Sequence, residues 1–477
     1  MREEYHDLAE LFVREATAAG ASYAEARIHG GTGCGFLLKN GDPEPPIIED
    51  SFGIGTRVIS NGAMAFNATN ILTRERVREL AKAAMKMARS SKPLVKDPVM
   101  MDDSKPSKKR VLVAEKEPVE GADPNWLKAL LVELDKRVVG RHEVKIANRL
   151  LVASGGAEEK YYVNSDGAKT SSRVPRLGFF GIFTAVLGGE TAQRIVQQGE
   201  TGGLEIVKRI GLFDLVEAEA GTLRKVLGTA RKPPTGVMDV VLGPELSGIA
   251  AHESVGHPQE ADRILGREGA QAGESYLDKD SLGFKVGSPQ TFVSDDPTIK
   301  HSNGYSPVDD EGIEARKRRL IVDGRVTEFL LNRSASVKIG AKNNGASRST
   351  GFDREPIIRM SNTFVEPGDY TTEELLKEVK DGIYLKSFTE WNIDDKRLNQ
   401  RYVGLEAYRV RNGEPKELVK APVLEITTPA LWGSVKGRSR RLEFEAASCG
   451  KGDPIQGIPV WTGGPDTLLS KVRMVTR

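Results

Sequence analysis

A chain of 477 residues exceeds what one typical core serves, so two domains or one large composite are expected. Its 69 basic and 67 acidic residues nearly cancel, which excludes the basic footprint of a nucleic-acid binder. Only two cysteines, Cys34 and Cys449, exclude a disulfide framework, and no window approaches the roughly 20 apolar residues of a membrane helix. The polar, acidic start, Met1-Arg2-Glu3-Glu4-Tyr5-His6-Asp7, lacks a signal-peptide apolar region. A cytoplasmic protein that contacts neither nucleic acid nor membrane is expected. The basic runs Lys105 to Arg110 and Arg316 to Arg319 are short and read as solvated loop or strand charges.

The chain opens on an amphipathic helix with Leu8, Leu11 and Phe12 on one face, stopped by Gly20. Strands follow at about 22–29, 33–39, 52–60 and 63–68, the last two joined by Asn61-Gly62, a strong hairpin signal because both positions tolerate positive φ. A helix capped by Thr73 carries Val77, Leu80, Ala81, Ala84 and Ala88 at helical spacing. Residues 92–117, with Pro93, Pro98, Pro106 and many charges, read as a linker. Asp123 is expected to cap a helix with Pro124 at its first position and Trp126, Leu127, Leu130, Leu131 and Leu134 as its buried stripe. Alternating strands between about 142 and 199, turning at Ser165-Asp166-Gly167, lead to a helical pair at about 203–229, and Lys232-Pro233-Pro234 marks a boundary.

Beyond the boundary, Val237 to Leu242 reads as an apolar strand feeding a helix, Leu320 to Leu331 as a hairpin around Asp323-Gly324, and Thr371 to Lys380 as the one clear later helix. The rest, including the tail Gly450 to Val472, is strand and glycine. No repeat of 20–50 residues is evident, which argues against a solenoid. The expected class is α+β. An N-terminal antiparallel sheet with packed helices occupies 1–230 (sub-parts 1–91 and 118–230, linker 92–117), and a β-rich, barrel-like or sandwich domain, 233–477, carries the motif helix.

That helix contains His252-Glu253-Ser254-Val255-Gly256-His257. Two imidazoles and a carboxylate this close suggest a metal with its own general base. The zinc-protease pattern His-Glu-x-x-His places its histidines at i and i+4, on one helix face. Here the spacing is i and i+5, which on a regular helix separates the rings by roughly 140°. The helix must end or distort inside the motif. Gly256, suited to a left-handed helix end, and Pro258, which disfavours the helical region for His257, predict a helix from about Pro244 through Val255 that stops there. Isolated histidines are more often surface or satisfied core residues. Against that, the other four, His6, His29, His142 and His301, are scattered without ligand spacing. Cys449, in a small glycine-bearing turn, reads by itself as a buried structural thiol.

The stretch His252 to His257 with Glu260 and Asp262, and the turn Cys449-Gly450-Lys451-Gly452, resemble the TldD branch of the TldD/PmbA metalloprotease family. So do, in the same order along the chain, Gly55-Thr56-Arg57-Val58 with Ala65-Phe66, Asn164-Ser165-Asp166-Gly167, Asp309-Asp310-Glu311-Gly312, and Arg359-Met360-Ser361-Asn362-Thr363 leading to Pro367-Gly368-Asp369. The resemblance implies a zinc-dependent peptidase with His252, His257 and Cys449 as ligands of one zinc ion and Glu253 as the catalytic residue. Three protein ligands leave a fourth position for water, which Glu253 would activate. Glu260 and Asp262 are candidates to hold a ligand histidine by its free ring N–H. Gly450 and Gly452, among the glycines of the tail, are candidates to expose backbone to an extended peptide, with unfolded or flexible peptides as substrates. The resemblance further implies a homodimer or a heterodimer with a PmbA/TldE-type sister subunit. Two alternatives stay open: a non-catalytic peptide-binding partner subunit, and a thiol peptidase with Cys449 as nucleophile.

Overall fold

Asn61 and Gly62 take φ of 51° and 78°, both positive as a tight hairpin requires, and join the strands Ile47–Ser60 and Ala63–Thr69. They stand at one edge of the first sheet in the computed structural model, which describes residues 3–120, 124–140, 144–269 and 273–476. The sheet runs from Ala63–Thr69 through Ile47–Ser60, Tyr23–Lys39 and Lys145–Asn164 to Lys169–Leu187, with Glu190–Thr201 and the short Arg110–Leu112 beside that last strand. Strands from both expected sub-parts, 1–91 and 118–230, therefore share one sheet. The segment 92–117 adds a short parallel strand to it. The two strands expected at 22–29 and 33–39 are one, Tyr23–Lys39. Between them a Cβ on Gly30 or Gly31 would stand 2.0 Å from Ser51 O or 2.4 Å from Ala157 O, so glycine there keeps both neighbours within pairing distance.

Helices cover the sheet. Glu3–Ala18 and Arg74–Ser91, the second capped by Thr73, bury Leu8, Leu11, Phe12, Val77, Leu80 and Ala84 in one core. Pro124–Val139 and Leu212–Thr229 bury Leu127, Leu131, Leu134, Val216 and Leu223 in another. Asp123, the expected cap, lies outside the described residues, as does His142.

The remainder is two large sheets and a two-stranded pair, Ser347–Arg348 with Ile357–Ile358. In the nine-stranded one, Gly236–Leu242 lies between Thr467–Val475, antiparallel, and Asp381–Leu385, parallel. The six-stranded one ends in Asn362–Val365, Gln456–Gly464 and, at its edge, Glu443–Lys451. The α+β class is the one expected, with the motif helix buried among residues of both sheets. A helix apolar on every side belongs in such a place. Among the described residues, the helices Ala261–Ile264, Arg333–Ile339 and Thr428–Gly433 went unpredicted; they are too short to display a 3.6-residue period. The predicted Thr371–Lys380 helix is Thr372–Lys377, started by a capping box between Thr371 and Glu374. Arg318, read as a solvated charge, is 1% exposed and donates to Asp295 Oδ2 at 2.6 Å, because Val293–Asp295 pairs directly with its strand.

Charged side chains tie the first sheet to the rest. Arg57 Nη2 donates to Glu311 Oε1 at 2.6 Å, Lys160 Nζ to Asp310 Oδ2 at 3.0 Å, and Arg194 Nη1 to Glu245 Oε1 at 2.6 Å. Trp461 Nε1 adds a bond to Gly199 O at 2.8 Å. Among the described residues, no helix is long and apolar enough to cross a membrane.

Candidate metal centre

The motif helix does not stop at Gly256. It runs as α-helix over Pro244–Ala251, widens into a π-turn over His252–Gly256, and tightens into a 3-10 turn over His257–Gln259. The expected left-handed end is absent: Gly256 has φ −59° and ψ −61°, and His257, despite Pro258, stays right-handed at φ −58° and ψ −46°. Pro258 is tolerated because it occupies the first turn of the 3-10 segment, where no N–H is needed.

The π-turn solves the spacing problem that the sequence posed. Its hydrogen bonds run from residue i+5 to residue i, so one residue more than in an α-helix fits into each turn. The His257 N–H donates to His252 O, and the two side chains come to the same side, ring centroids 4.9 Å apart and planes at 81°. Ser254 favours the widening: its Oγ donates to Ala250 O at 2.6 Å and accepts from Trp432 Nε1 at 3.0 Å. A serine bonded back to the i−4 carbonyl in this way bends helices. Gly256 is needed for space, since a Cβ there would lie 1.9 Å from Met360 Sδ. Gly248 and Gly463 let the helix rest directly on the strand Gln456–Gly464, a Cβ on Gly248 meeting Gly463 N at 2.5 Å. Gly463 and Gly464 are buried packing positions.

Cys449 is in the strand Glu443–Lys451, not in a turn; the turn begins at Gly452, with φ 90°. Its Sγ lies 3.4 Å from His257 Nε2. One donor atom from each of His252, His257 and Cys449 falls within 4.8 Å of the others, and all three residues are buried. Nδ1 of His252 has no hydrogen-bond partner there, a costly arrangement for a buried polar atom unless something else engages it. Burial holds both imidazoles below their usual pKa. Burial pushes the Cys449 thiol up, but His257 and Arg359 outweigh it and hold it below its usual value. Arg359 is itself bonded to Cys449 O and, at 2.8 Å, to Gln456 O, bracing the strand. Two imidazole nitrogens and a sulfur able to bind as thiolate fit zinc or a similarly soft cation.

Glu260 and Asp262 play different parts. Nδ1 of His257 donates to Glu260 Oε2 at 2.9 Å. Burial would raise the Glu260 carboxyl, yet Lys451, His257 and Arg263 hold it well below the usual range, so it accepts and turns Nε2 toward Cys449. Asp262 touches neither histidine. It takes Lys451 Nζ at 2.7 Å and 2.9 Å. Lys451, fully buried, also reaches Glu260 Oε2 at 3.2 Å and Ile358 O at 2.8 Å. Two residues along the strand from Cys449, it links the end of the chain to the histidine motif. Gly450 lines the same cavity as the three donor residues, whereas Gly452 does not.

The cavity has a volume of ≈ 320 Å³. Glu253 is 5% exposed and accepts a hydrogen bond at Oε2 from Arg397 Nη1. Arg397 and Lys451 escaped sequence reasoning. Lys451 had a signal, as it shares a strand face with Cys449; Arg397, in the polar run Asp394-Asp395-Lys396-Arg397, had none.

Residues 235–476 match the family profile described as the PmbA/TldA metallopeptidase C-terminal domain, and residues 24–88 match PmbA/TldA metallopeptidase domain 1. A metalloprotease of Methanocaldococcus jannaschii is 29% identical over 93% of this chain and 94% of its own length. A zinc metalloprotease TldD homolog of Saccharolobus solfataricus is 28% identical over 55% of this chain and 57% of its own. The crystal structure of TldE from Thermococcus kodakarensis shares the fold with a TM-score of 0.73 at 15% identity, over 98% of this chain and 100% of that one.

Proposed function

This chain belongs to the TldD/PmbA family of metallopeptidases, and from that premise we propose that it is a catalytic, zinc-bearing member that hydrolyses peptide bonds of unfolded or flexible peptides. The observation that carries the reading is the convergence of His252, His257 and Cys449, their donor atoms within 4.8 Å of one another. His252 and His257 would hold zinc by ring nitrogens, the second through Nε2, and Cys449 through its thiolate. Bound there, zinc supplies Lewis acidity and lowers the pKa of coordinated water.

The chain's own residues do the rest. Glu253 takes the proton of the attacking water and returns it to the leaving amine. Glu260 fixes the tautomer and orientation of His257. The strand Glu443–Lys451 is the edge of its sheet, and an extended peptide pairing with it through main-chain bonds would pass Cys449 while its side chains were read weakly. That supports unfolded peptides over folded proteins as substrates. The Thermococcus kodakarensis TldE fold supports assembly with a sister subunit or a second copy. Two cysteines, neither in a disulfide, fit a reducing cytoplasm.

A thiol peptidase is the second reading, favoured by the 3.4 Å approach of Cys449 Sγ to His257 Nε2 and the lowered thiol pKa. It gives no use to the buried, unpartnered Nδ1 of His252. A non-catalytic partner subunit would need none of His252, Glu253, His257 and Cys449, yet the chain carries all four. The deciding experiment measures bound zinc and peptide hydrolysis in the wild type, Glu253→Ala and Cys449→Ala, with and without a chelator. The metallopeptidase reading expects Glu253→Ala to keep zinc and lose hydrolysis, Cys449→Ala to lose zinc, and chelation to abolish activity that zinc restores. Hydrolysis that survives chelation, or full activity in Glu253→Ala, overturns it.

A further inference from the structure

Arg397 is the one cationic side chain lining the metal cavity among the described residues. It is 8% exposed, and its Nη1 donates to Oε2 of Glu253 across 144 residues of sequence. The remaining charged residues of that wall, Glu245, Glu253 and Glu445, are all acidic.

The backbone that delivers Arg397 is strained and held. Arg397 has φ 62°, a left-handed conformation that residues other than glycine, asparagine and aspartate seldom adopt. It closes the connection between the strands Phe388–Ile393 and Asn399–Gly404. Asp394 secures that connection, accepting from Leu398 N at 2.7 Å and Asn399 N at 3.1 Å, with Arg397 N donating to Asp394 O at 3.0 Å. From the other side, Thr428 Oγ1 donates to Arg397 O at 2.7 Å. Strain retained by so many bonds at the mouth of a cavity points to what the side chain reaches. A surface ion pair would not need it.

Resting on the peptidase reading, we infer that Arg397 is a positioning residue for Glu253: its guanidinium occupies Oε2 and leaves Oε1 as the oxygen that takes the proton of the attacking water. A glutamate side chain has three rotatable bonds, and a base must stand within about 0.5 Å of its productive place. The planar, permanently charged fork of arginine limits that freedom in a way a lysine ammonium does not. The proton moves from water to Oε1, then from Oε1 to the leaving nitrogen, and Arg397 keeps its own protons throughout.

The test compares the zinc-loaded wild type with Arg397→Ala and Arg397→Lys. For each, zinc content, melting temperature, kcat and KM on an unstructured peptide are measured, and Arg397→Ala is repeated with added guanidinium ion. The expected result is zinc and melting temperature close to wild type, KM little changed, and kcat down about 100-fold, the scale on which a 1 Å misplacement acts. Guanidinium should restore part of the kcat of Arg397→Ala, and Arg397→Lys should fall between the two. An unchanged kcat overturns the inference, as does a loss of zinc together with activity, which would make Arg397 an anchor of the fold. A loss confined to KM, with no rescue by guanidinium, overturns it in favour of a substrate contact. A zinc-loaded wild type without any hydrolysis is distinguishable from all of these and removes the peptidase reading and this inference together.

Discussion

Glu260 Oε2 lies 2.9 Å from Nδ1 of His257 and holds the ring so that Nε2 faces Cys449. The same oxygen takes Arg263 Nε at 2.8 Å and Lys451 Nζ at 3.2 Å, so one buried carboxylate sets both the tautomer of a donor histidine and the position of the strand that carries the donor cysteine. Carboxylates of this kind typically matter by 10–100-fold in metal affinity. Glu260→Gln is expected to weaken zinc binding by about that factor, measured by competition with a chelating dye, while the helix content of the apoprotein stays unchanged. Wild-type affinity in Glu260→Gln would count against the arrangement.

Gly256 gives a second expectation. Because a Cβ would fall 1.9 Å from Met360 Sδ, Gly256→Ala overpacks a site where both residues are buried. A loss of about 1–3 kcal/mol in chemical denaturation is expected, together with weaker zinc binding as the π-turn shifts. Met360→Ala opens the space, so the double variant should be less destabilised than the sum of its parts. Strict additivity would show that the contact is not the cause.

How much of this site could be read from the sequence turns on one residue. The i, i+5 spacing of His252 and His257 sufficed to exclude a regular helix. It could not show how the helix would yield, and the expected left-handed stop at Gly256 is absent because the decision is tertiary: Trp432 bonds Ser254 from 178 residues away and Met360 lies over Gly256. Cys449 was recognisable through its neighbours, yet its strand emerged only with the pairing of Glu443–Lys451 to Gln456–Gly464. The first sheet was more legible, since Asn61-Gly62, Thr73 and the leucines of Pro124–Val139 act locally. Arg397 was illegible because nothing near it in sequence foretells a carboxylate 144 residues away.

Cys449 separates ligand from nucleophile by a substitution milder than alanine. Cys449→Asp keeps an anionic donor that zinc accepts but cannot form a thioester. Under the metallopeptidase reading it should retain measurable zinc and some chelator-sensitive hydrolysis, whereas under the thiol reading it should be as dead as Cys449→Ala. Zinc content and activity of the two variants, assayed side by side, decide between them.

Asp310 provides a pH-dependent expectation at the junction between the first sheet and the rest. Its Oδ2 accepts from Lys160 Nζ at 3.0 Å and from Ser349 N at 2.8 Å, and it is 5% exposed. Burial raises the carboxyl, but Lys160, Arg27 and His29 outweigh it and leave the folded value below the usual one. A carboxyl with a depressed folded pKa binds protons more readily in the unfolded chain, so its contribution is present above the unfolded pKa of about 4 and is lost as pH falls through the folded value. Asp310→Asn keeps the shape and removes the charge, leaving Lys160 with Glu158 alone at 3.1 Å. At pH 7 a destabilisation of about 1.5–3 kcal/mol is expected, the range for a hydrogen bond to a charged group. The difference between variant and wild type should shrink as pH is lowered below about 4, followed by denaturant titrations at several pH values. A difference that stays constant from neutral to acid pH would mean that packing, and not the charge of Asp310, joins the two parts of the chain here.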